Sequence, residues 1–170
     1  MKKILFLLFL CVGCSIVQAQ SIKLPNGCEK ILNVNFKGWK LAQVPNDVSE
    51  YHKEKKFPFE PNLIKGDWNG DGQVDYAVLI EKGTLKNLEG ADIGERKFTV
   101  AFIRINNGYK HFSFDGGDYI QLMKKGTKDY DYETDKNFRY KTDAIFGGLG
   151  QSGVSYVWKK GKFIEIITSD

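Results

Sequence analysis

Oxygen-bearing side chains fall at regular intervals in one short stretch: Asp67, Asn69, Asp71, Gln73 and Asp75, with Gly70 and Gly72 between them. Alternate residues of a tight loop can point at one centre, and Gly72 stands where such a loop must turn sharply. A hard cation such as Ca²⁺ takes six to eight oxygen ligands. The side chains of Asp67, Asn69, Asp71 and Asp75, the Gln73 carbonyl and one water or a bidentate carboxylate supply about that number. The chemistry this stretch can do is therefore metal binding; the alternative is that the Asp/Asn/Gly cluster is a solvated turn.

The opening of the pattern matches an EF-hand, which also needs a bidentate Glu at its twelfth position and a helix on either side. Counted from Asp67, that position is Val78, inside an apolar run. Phe57-Pro58-Phe59-Glu60-Pro61 before the loop cannot be an entering helix. Val74 to Ile80, short and rich in β-branched residues, reads as a buried strand. An EF-hand is excluded. The pattern D-x-N-x-D-G-x-x-D, closed by Asp75 at the mouth of a strand, resembles instead the calcium loops of FG-GAP and VCBS-type repeats, the units of integrin-α-like propellers. The resemblance rests on Asp67, Asn69, Asp71, Gly72 and Asp75, with Gly70 and the run Tyr76 to Leu79 in the same style. It implies a loop joining antiparallel strands, with Asp67, Asn69, Asp71, Gln73 (through its carbonyl) and Asp75 as ligands. A propeller repeats its blades, and this chain holds one copy of the loop. A single domain carrying one such loop is expected.

The elements around the loop are mostly strands. Gly38 to Ala42 reads as a first short strand, and Asn46 to about Lys55 as a short helix with Val48, Tyr51 and Lys55 on one face. Phe98 to Ile105 is apolar on both faces, with Phe98, Val100 and Phe102 on one and Ala101, Ile103 and Ile105 on the other, so a central strand is expected. Asn107-Gly108 predicts a primed two-residue hairpin, returning through Tyr109 to Phe114. Asp115-Gly116-Gly117-Asp118 predicts a further turn into Tyr119 to Met123. Residues 124–137 are polar, Phe138 to Phe146 resumes, and Val154 to Trp158 pairs with Phe163 to Thr168 across Lys159-Lys160-Gly161-Lys162. The sum is a mainly β antiparallel meander of about seven strands with one short helix, packed as a sandwich or half-barrel.

The N-terminus predicts export. Lys2 and Lys3 precede the apolar run Ile4 to Val12, and Val17-Gln18-Ala19 suits cleavage before Gln20. The apolar run is too short to span a bilayer comfortably. Residues 1–19 are thus expected to be a signal peptide of bacterial type, and residues 20–170 a single β-rich domain with a calcium loop at 66–75, periplasmic or secreted and without a transmembrane segment. Cys14, preceded by Gly13, offers the alternative of a lipid anchor, although Cys11 stands where lipoprotein signals usually carry Leu. Cleavage after Ala19 leaves Cys28 alone, so no disulfide framework is expected. It also leaves 23 basic against 21 acidic side chains, a near-neutral balance that excludes nucleic acid as a partner class.

Other motifs carry less. Gly148-x-Gly150-x-x-Gly153 matches the dinucleotide fingerprint as a string, but a strand follows where a helix must. Ser152 lacks the nucleophile-elbow frame because Val154 stands where Gly is needed. His52 and His111 have no zinc spacing; His52 is expected on the polar side of the short helix and His111 on a strand face. Asp129-Tyr130-Asp131-Tyr132-Glu133-Thr134-Asp135 reads first as a solvated loop, and otherwise as a second cation site or contact loop. Trp39, Trp68 and Trp158 fit either a glycan-binding surface or the core. The expected function is that of a non-enzymatic binding protein of the cell envelope, with one structural Ca²⁺ and an envelope protein or glycan as partner. The alternatives are a metal-dependent periplasmic hydrolase, a lipid-anchored surface component, or an inhibitor of a toxin or hydrolase.

Overall fold

The computed structural model describes residues 23–86, 88–149 and 152–168. The export signal expected over 1–19, Cys14 and the cleavage site lie outside the described residues.

Among the described residues, two large antiparallel sheets, a small two-stranded one and two helices make the fold. The first sheet is built on β3 (Asp75–Lys86) and β4 (Asp92–Ile105), with β5 (Gly108–Asp115) on the far side of β4. Two short strands, β1 (Lys40–Leu41) and β2 (Leu63–Gly66), pair end to end along the free side of β3. The second sheet has the order β11 (Lys162–Thr168), β10 (Ser152–Lys159), β9 (Ala144–Leu149), β6 (Tyr119–Met123). A small hairpin of β7 (Lys128–Asp131) and β8 (Lys136–Arg139) stands apart. The antiparallel sandwich is as expected, but the described residues form eleven strands rather than about seven, because the polar segments also pair.

The two-faced pattern of β4 explains the layering. Ala77, Leu79, Ala101 and Ile103 face the second sheet and pack with Ile120, Ile145 and Tyr156. Val78, Ile80, Val100 and Phe102 face the other way. That face is covered by α1 (Asn26–Asn35), which the sequence analysis does not anticipate. Pro25-Asn26-Gly27 looks like a turn, yet Pro25 is an extended N-cap residue and Leu24, Cys28, Leu32 and Phe36 fall four apart on one buried face. Full burial of a residue such as Leu32 contributes about 2 kcal/mol, so the apolar face outweighs the poor propensity of Asn and Gly. The second helix, α2 (Asn46–Glu54), lies where expected, but its inward residue is His52 rather than Tyr51.

Two turns differ from expectation. The register of β4 and β5 pairs Ile105 with Gly108, so Asn106 and Asn107 form the turn, and neither has a positive φ. The apolar alternation of β4 sets this register and draws Gly108 into the strand. The primed geometry appears instead between β10 and β11, where Lys160 and Gly161 have φ of 51° and 81°. Asp115 to Asp118 makes no hairpin: here the chain crosses from the first sheet to the second. A Cβ on Gly117 would stand 2.1 Å from the carbonyl oxygen of Gly148, so only glycine fits that crossing. Phe138 to Phe146 divides into β8 and β9, with the buried Tyr140 between them.

Candidate metal centre

Gly66 pairs with Asp75, so residues 67–74 are the connection of the β2–β3 hairpin, and the strand begins at Asp75 rather than at the exposed Val74. Strands, not helices, flank the loop. Its glycines Gly70 and Gly72 have φ of 77° and 82°, the left-handed geometry their sequence positions demand.

The polar side chains fold back on the loop's own backbone. The Asp67 carboxylate accepts the N–H groups of Gly70 at 2.8 Å and Gly72 at 3.0 Å. Asn69 Oδ1 accepts the N–H of Asp71 at 3.1 Å, and Asp71 Oδ1 accepts that of Gln73 at 2.8 Å. The side-chain amides of Asn69 and Gln73 donate to Asp71 Oδ2. The Gln73 N–H and the Asn69 amide hold the Asp71 carboxyl below the usual carboxylate range. Asp71 to Val74 are exposed.

Asp75 differs from the rest. It is fully buried, and its two oxygens accept the N–H groups of Trp68 at 2.9 Å and Arg104 at 2.7 Å. One carboxylate thus ties the loop to β4. Burial pushes its carboxyl up to about 6; the two N–H groups oppose that, and the charges of Asp71 and Asp67 add to it. Trp68 anchors the loop: its ring is 0% exposed in the core between the sheets, and its indole N–H has no partner among the described residues.

The donor set is all oxygen and includes three carboxylates, which suits Ca²⁺ and not the softer transition metals. None of Asp67, Asp71 and Asp75 makes an ion pair among the described residues. Apart from Asp71 Oδ2, which accepts both side-chain amides, each of these side-chain oxygens accepts one N–H and keeps a second lone pair, so the chemistry of the set fits a hard cation. Among the described residues no three His, Cys, Asp or Glu side chains stand together in a metal-holding group. The loop carboxylates lie on backbone N–H groups instead.

A residue that sequence reasoning misses joins the loop from the second sheet. Asp143, in the β8–β9 connection, accepts the N–H of Asp67 at 3.2 Å and that of Lys125 at 3.0 Å, and pairs with the Lys124 ammonium at 3.0 Å. Partial burial works to raise its carboxyl, but these three donors outweigh it and hold it low. No local pattern marks a single Asp in Lys141-Thr142-Asp143-Ala144, because its partner is 76 positions away.

No family matches this chain. No protein-family model, curated protein or solved structure gives a significant match to it.

The other candidates take structural places. Gly148 and Gly153 face each other across β9 and β10, and the rings of Tyr119 and Phe146 occupy the space their side chains would fill; Gly150 lies outside the described residues. His52 is buried among the rings of Tyr51, Phe57 and Tyr119, which corrects the polar-face expectation. The reason is that the i, i+4 pair Val48 and His52 faces inward while Tyr51 stays exposed. A cavity of only about 10 Å³ adjoins His52, and no acidic residue lines it. His111 sits on β5, edge-on to Phe36. Asp129 and Asp131 serve the β7–β8 hairpin: Asp131 accepts the N–H groups of Glu133 and Thr134, and Asp129 bonds the Tyr140 hydroxyl, which continues to Ser155 and Thr168. Trp39 and Trp158 are half-buried against the two cores. No helix among the described residues is long and apolar enough to cross a membrane.

Proposed function

We propose that this chain is an exported β domain that acts by binding rather than by catalysis, with the loop Asp67 to Asp75 holding one structural Ca²⁺. The observation that carries the reading is electrostatic. Three carboxylates, Asp67 and Asp71 in the β2–β3 connection and Asp75 at its end, have no ion-pair partner among the described residues, and Asp75 is fully buried. A divalent cation would neutralise that charge and hold the turn between β2 and β3. Asp67, Asn69, Asp71, Asp75 and the Gln73 carbonyl would supply its oxygens, in the manner of the FG-GAP and VCBS loops that the sequence resembles.

Extracellular calcium modules bind with dissociation constants of roughly 10⁻⁴–10⁻³ M. At a hundredfold excess over such a constant, the ion adds about 2.7 kcal/mol to a stability of roughly 5–15 kcal/mol. Isothermal titration with Ca²⁺, and with Mg²⁺ for comparison, tests the reading: a single calcium site is expected, and no heat at millimolar calcium refutes it. Export is supported by the Lys2-Lys3 start, the apolar run and Val17-Gln18-Ala19. Mass spectrometry of the mature N-terminus separates cleavage before Gln20 from a diacylated Cys14. The partner is an envelope protein or a glycan, to be sought by crosslinking in the envelope of the exporting cell. The hydrolase alternative gains no support from the histidines, since aromatic rings surround His52 and His111 pairs with Phe102.

A further inference from the structure

The candidate calcium loop belongs to the first sheet, yet what holds its first residue comes from the second. Asp143 stands in the β8–β9 connection, immediately before β9, with its side chain only 11% exposed. Its Oδ2 accepts the Asp67 N–H at 3.2 Å and the Lys124 ammonium at 3.0 Å, while Oδ1 accepts the Lys125 N–H at 3.0 Å. Next to it, the Thr142 methyl presses on the loop, so that a Cβ on Gly70 would lie 2.9 Å from Thr142 Cγ2. Three connections therefore meet at one carboxylate: β2–β3, β6–β7 and β8–β9.

We propose that Asp143 is the positioning residue of the cation loop and makes it a lock between the two sheets. The inference rests on the calcium reading above. Asp143 differs from the candidate ligands because an ammonium, that of Lys124 at 3.0 Å, pairs with its carboxylate. Its negative charge is matched by Lys124, whereas Asp67 and Asp71 have no ion-pair partner among the described residues. It acts instead on the backbone of Asp67, whose carboxylate in turn fixes the N–H groups of Gly70 and Gly72. The chain of contacts runs from Lys125 through Asp143 and Asp67 to the turn of the loop. Occupancy of the loop then steadies the β6–β7 and β8–β9 connections, and loosening Asp143 weakens the cation. Groups that orient a metal's ligands typically change affinity 10–100-fold when removed.

Calcium titration and amide hydrogen exchange of the purified protein test this with Asp143→Ala and Lys124→Ala. Asp143→Ala should weaken calcium binding about 10–100-fold, whereas Lys124→Ala, which removes only an exposed partner, should stay within about threefold. In the wild type, calcium should slow exchange of the Lys125 amide as well as those of Gly70 and Gly72, and Asp143→Ala should abolish the effect at Lys125. In chelator, the Gly70 and Gly72 amides should exchange faster in Asp143→Ala than in Lys124→Ala. Equal calcium affinity and equal loop exchange in Asp143→Ala and wild type overturn the proposal. If the wild type takes no calcium, the metal reading fails, and exchange in chelator alone decides whether Asp143 positions the loop. Should Asp143→Ala not fold, Asp143→Asn, which keeps one acceptor oxygen, must still lose at least about threefold in affinity.

Discussion

The contact between Gly66 and Trp68 yields the sharpest mutational prediction. A Cβ on Gly66 would lie 2.5 Å from Cζ3 of Trp68, 2.7 Å from Cη2 and 3.0 Å from Cε3. Carbon atoms in favourable contact sit about 3.5–4.0 Å apart, so the ring must retreat by roughly 1 Å. It has nowhere to go, being fully buried among Ile64, Ala77, Leu79 and Ile103. Overpacking of this kind costs about 1–3 kcal/mol, which for a domain of this size lowers the melting temperature by roughly 2–4 °C per kcal/mol. Gly66→Ala should therefore lower it by about 2–12 °C. Trp68→Phe removes the benzo ring that makes the clash, together with a buried indole N–H that has no partner among the described residues. In that background Gly66→Ala should cost less than about 0.5 kcal/mol, the usual limit for a substitution without a clash. Urea unfolding of the four proteins, followed by circular dichroism, closes the cycle. An equal cost of Gly66→Ala in both backgrounds, or none in the wild type, would refute the packing argument.

Three further outcomes are expected. Burial raises the Asp75 carboxyl to about 6 against about 3.9 in the unfolded chain, so its contribution is fully present below the unfolded value and is lost as pH rises through 6. In chelator the protein should gain about 1.4 kcal/mol between pH 8 and pH 5, read as a higher melting temperature, and Asp75→Asn should remove the gain. Burial likewise pushes the Cys28 thiol up to about 12, so it should resist alkylation at pH 8 until urea unfolds the chain, and stability should fall as pH rises from about 9 towards 12. Leu32→Ala should cost about 2–5 kcal/mol in urea unfolding, because Leu32 is fully buried in the cluster with Val78, Ile80, Val100 and Phe102.

What could be read without coordinates was local. The two apolar faces of Phe98 to Ile105 announced a covered central strand, and β4 is one. Asn46 opened a helix where α2 begins, and the strand after Asp75 excluded an EF-hand. The spacing of oxygen side chains also marked the β2–β3 connection as one tight, glycine-shaped turn. What escaped was set by distant packing. The helix α1 hides behind Pro25-Asn26-Gly27, whose turn chemistry is outweighed by the sheet face it covers. His52 turned inward because Tyr119 and Phe57, far from it or outside its helix, offer an aromatic wall. Asp143 could not be connected to Asp67 from spacing, since only the packing of two sheets brings those connections together. The polar stretch around Asp131 pairs as β7 and β8 because its acids bond the turn's own N–H groups.

The central claim is that a cation clamps the β2–β3 connection. It is tested most directly by thermal melts of the purified protein in chelator and in millimolar calcium, beside Asp71→Ala, which removes one exposed carboxylate and leaves the core untouched. At about 1 mM calcium and a dissociation constant of roughly 10⁻⁴–10⁻³ M, the account predicts a calcium-dependent rise of about 1–6 °C for a gain of about 0.4–1.4 kcal/mol, absent in Asp71→Ala. Identical melts with and without calcium would contradict it and leave Asp67 to Asp75 as a hydrogen-bonded turn.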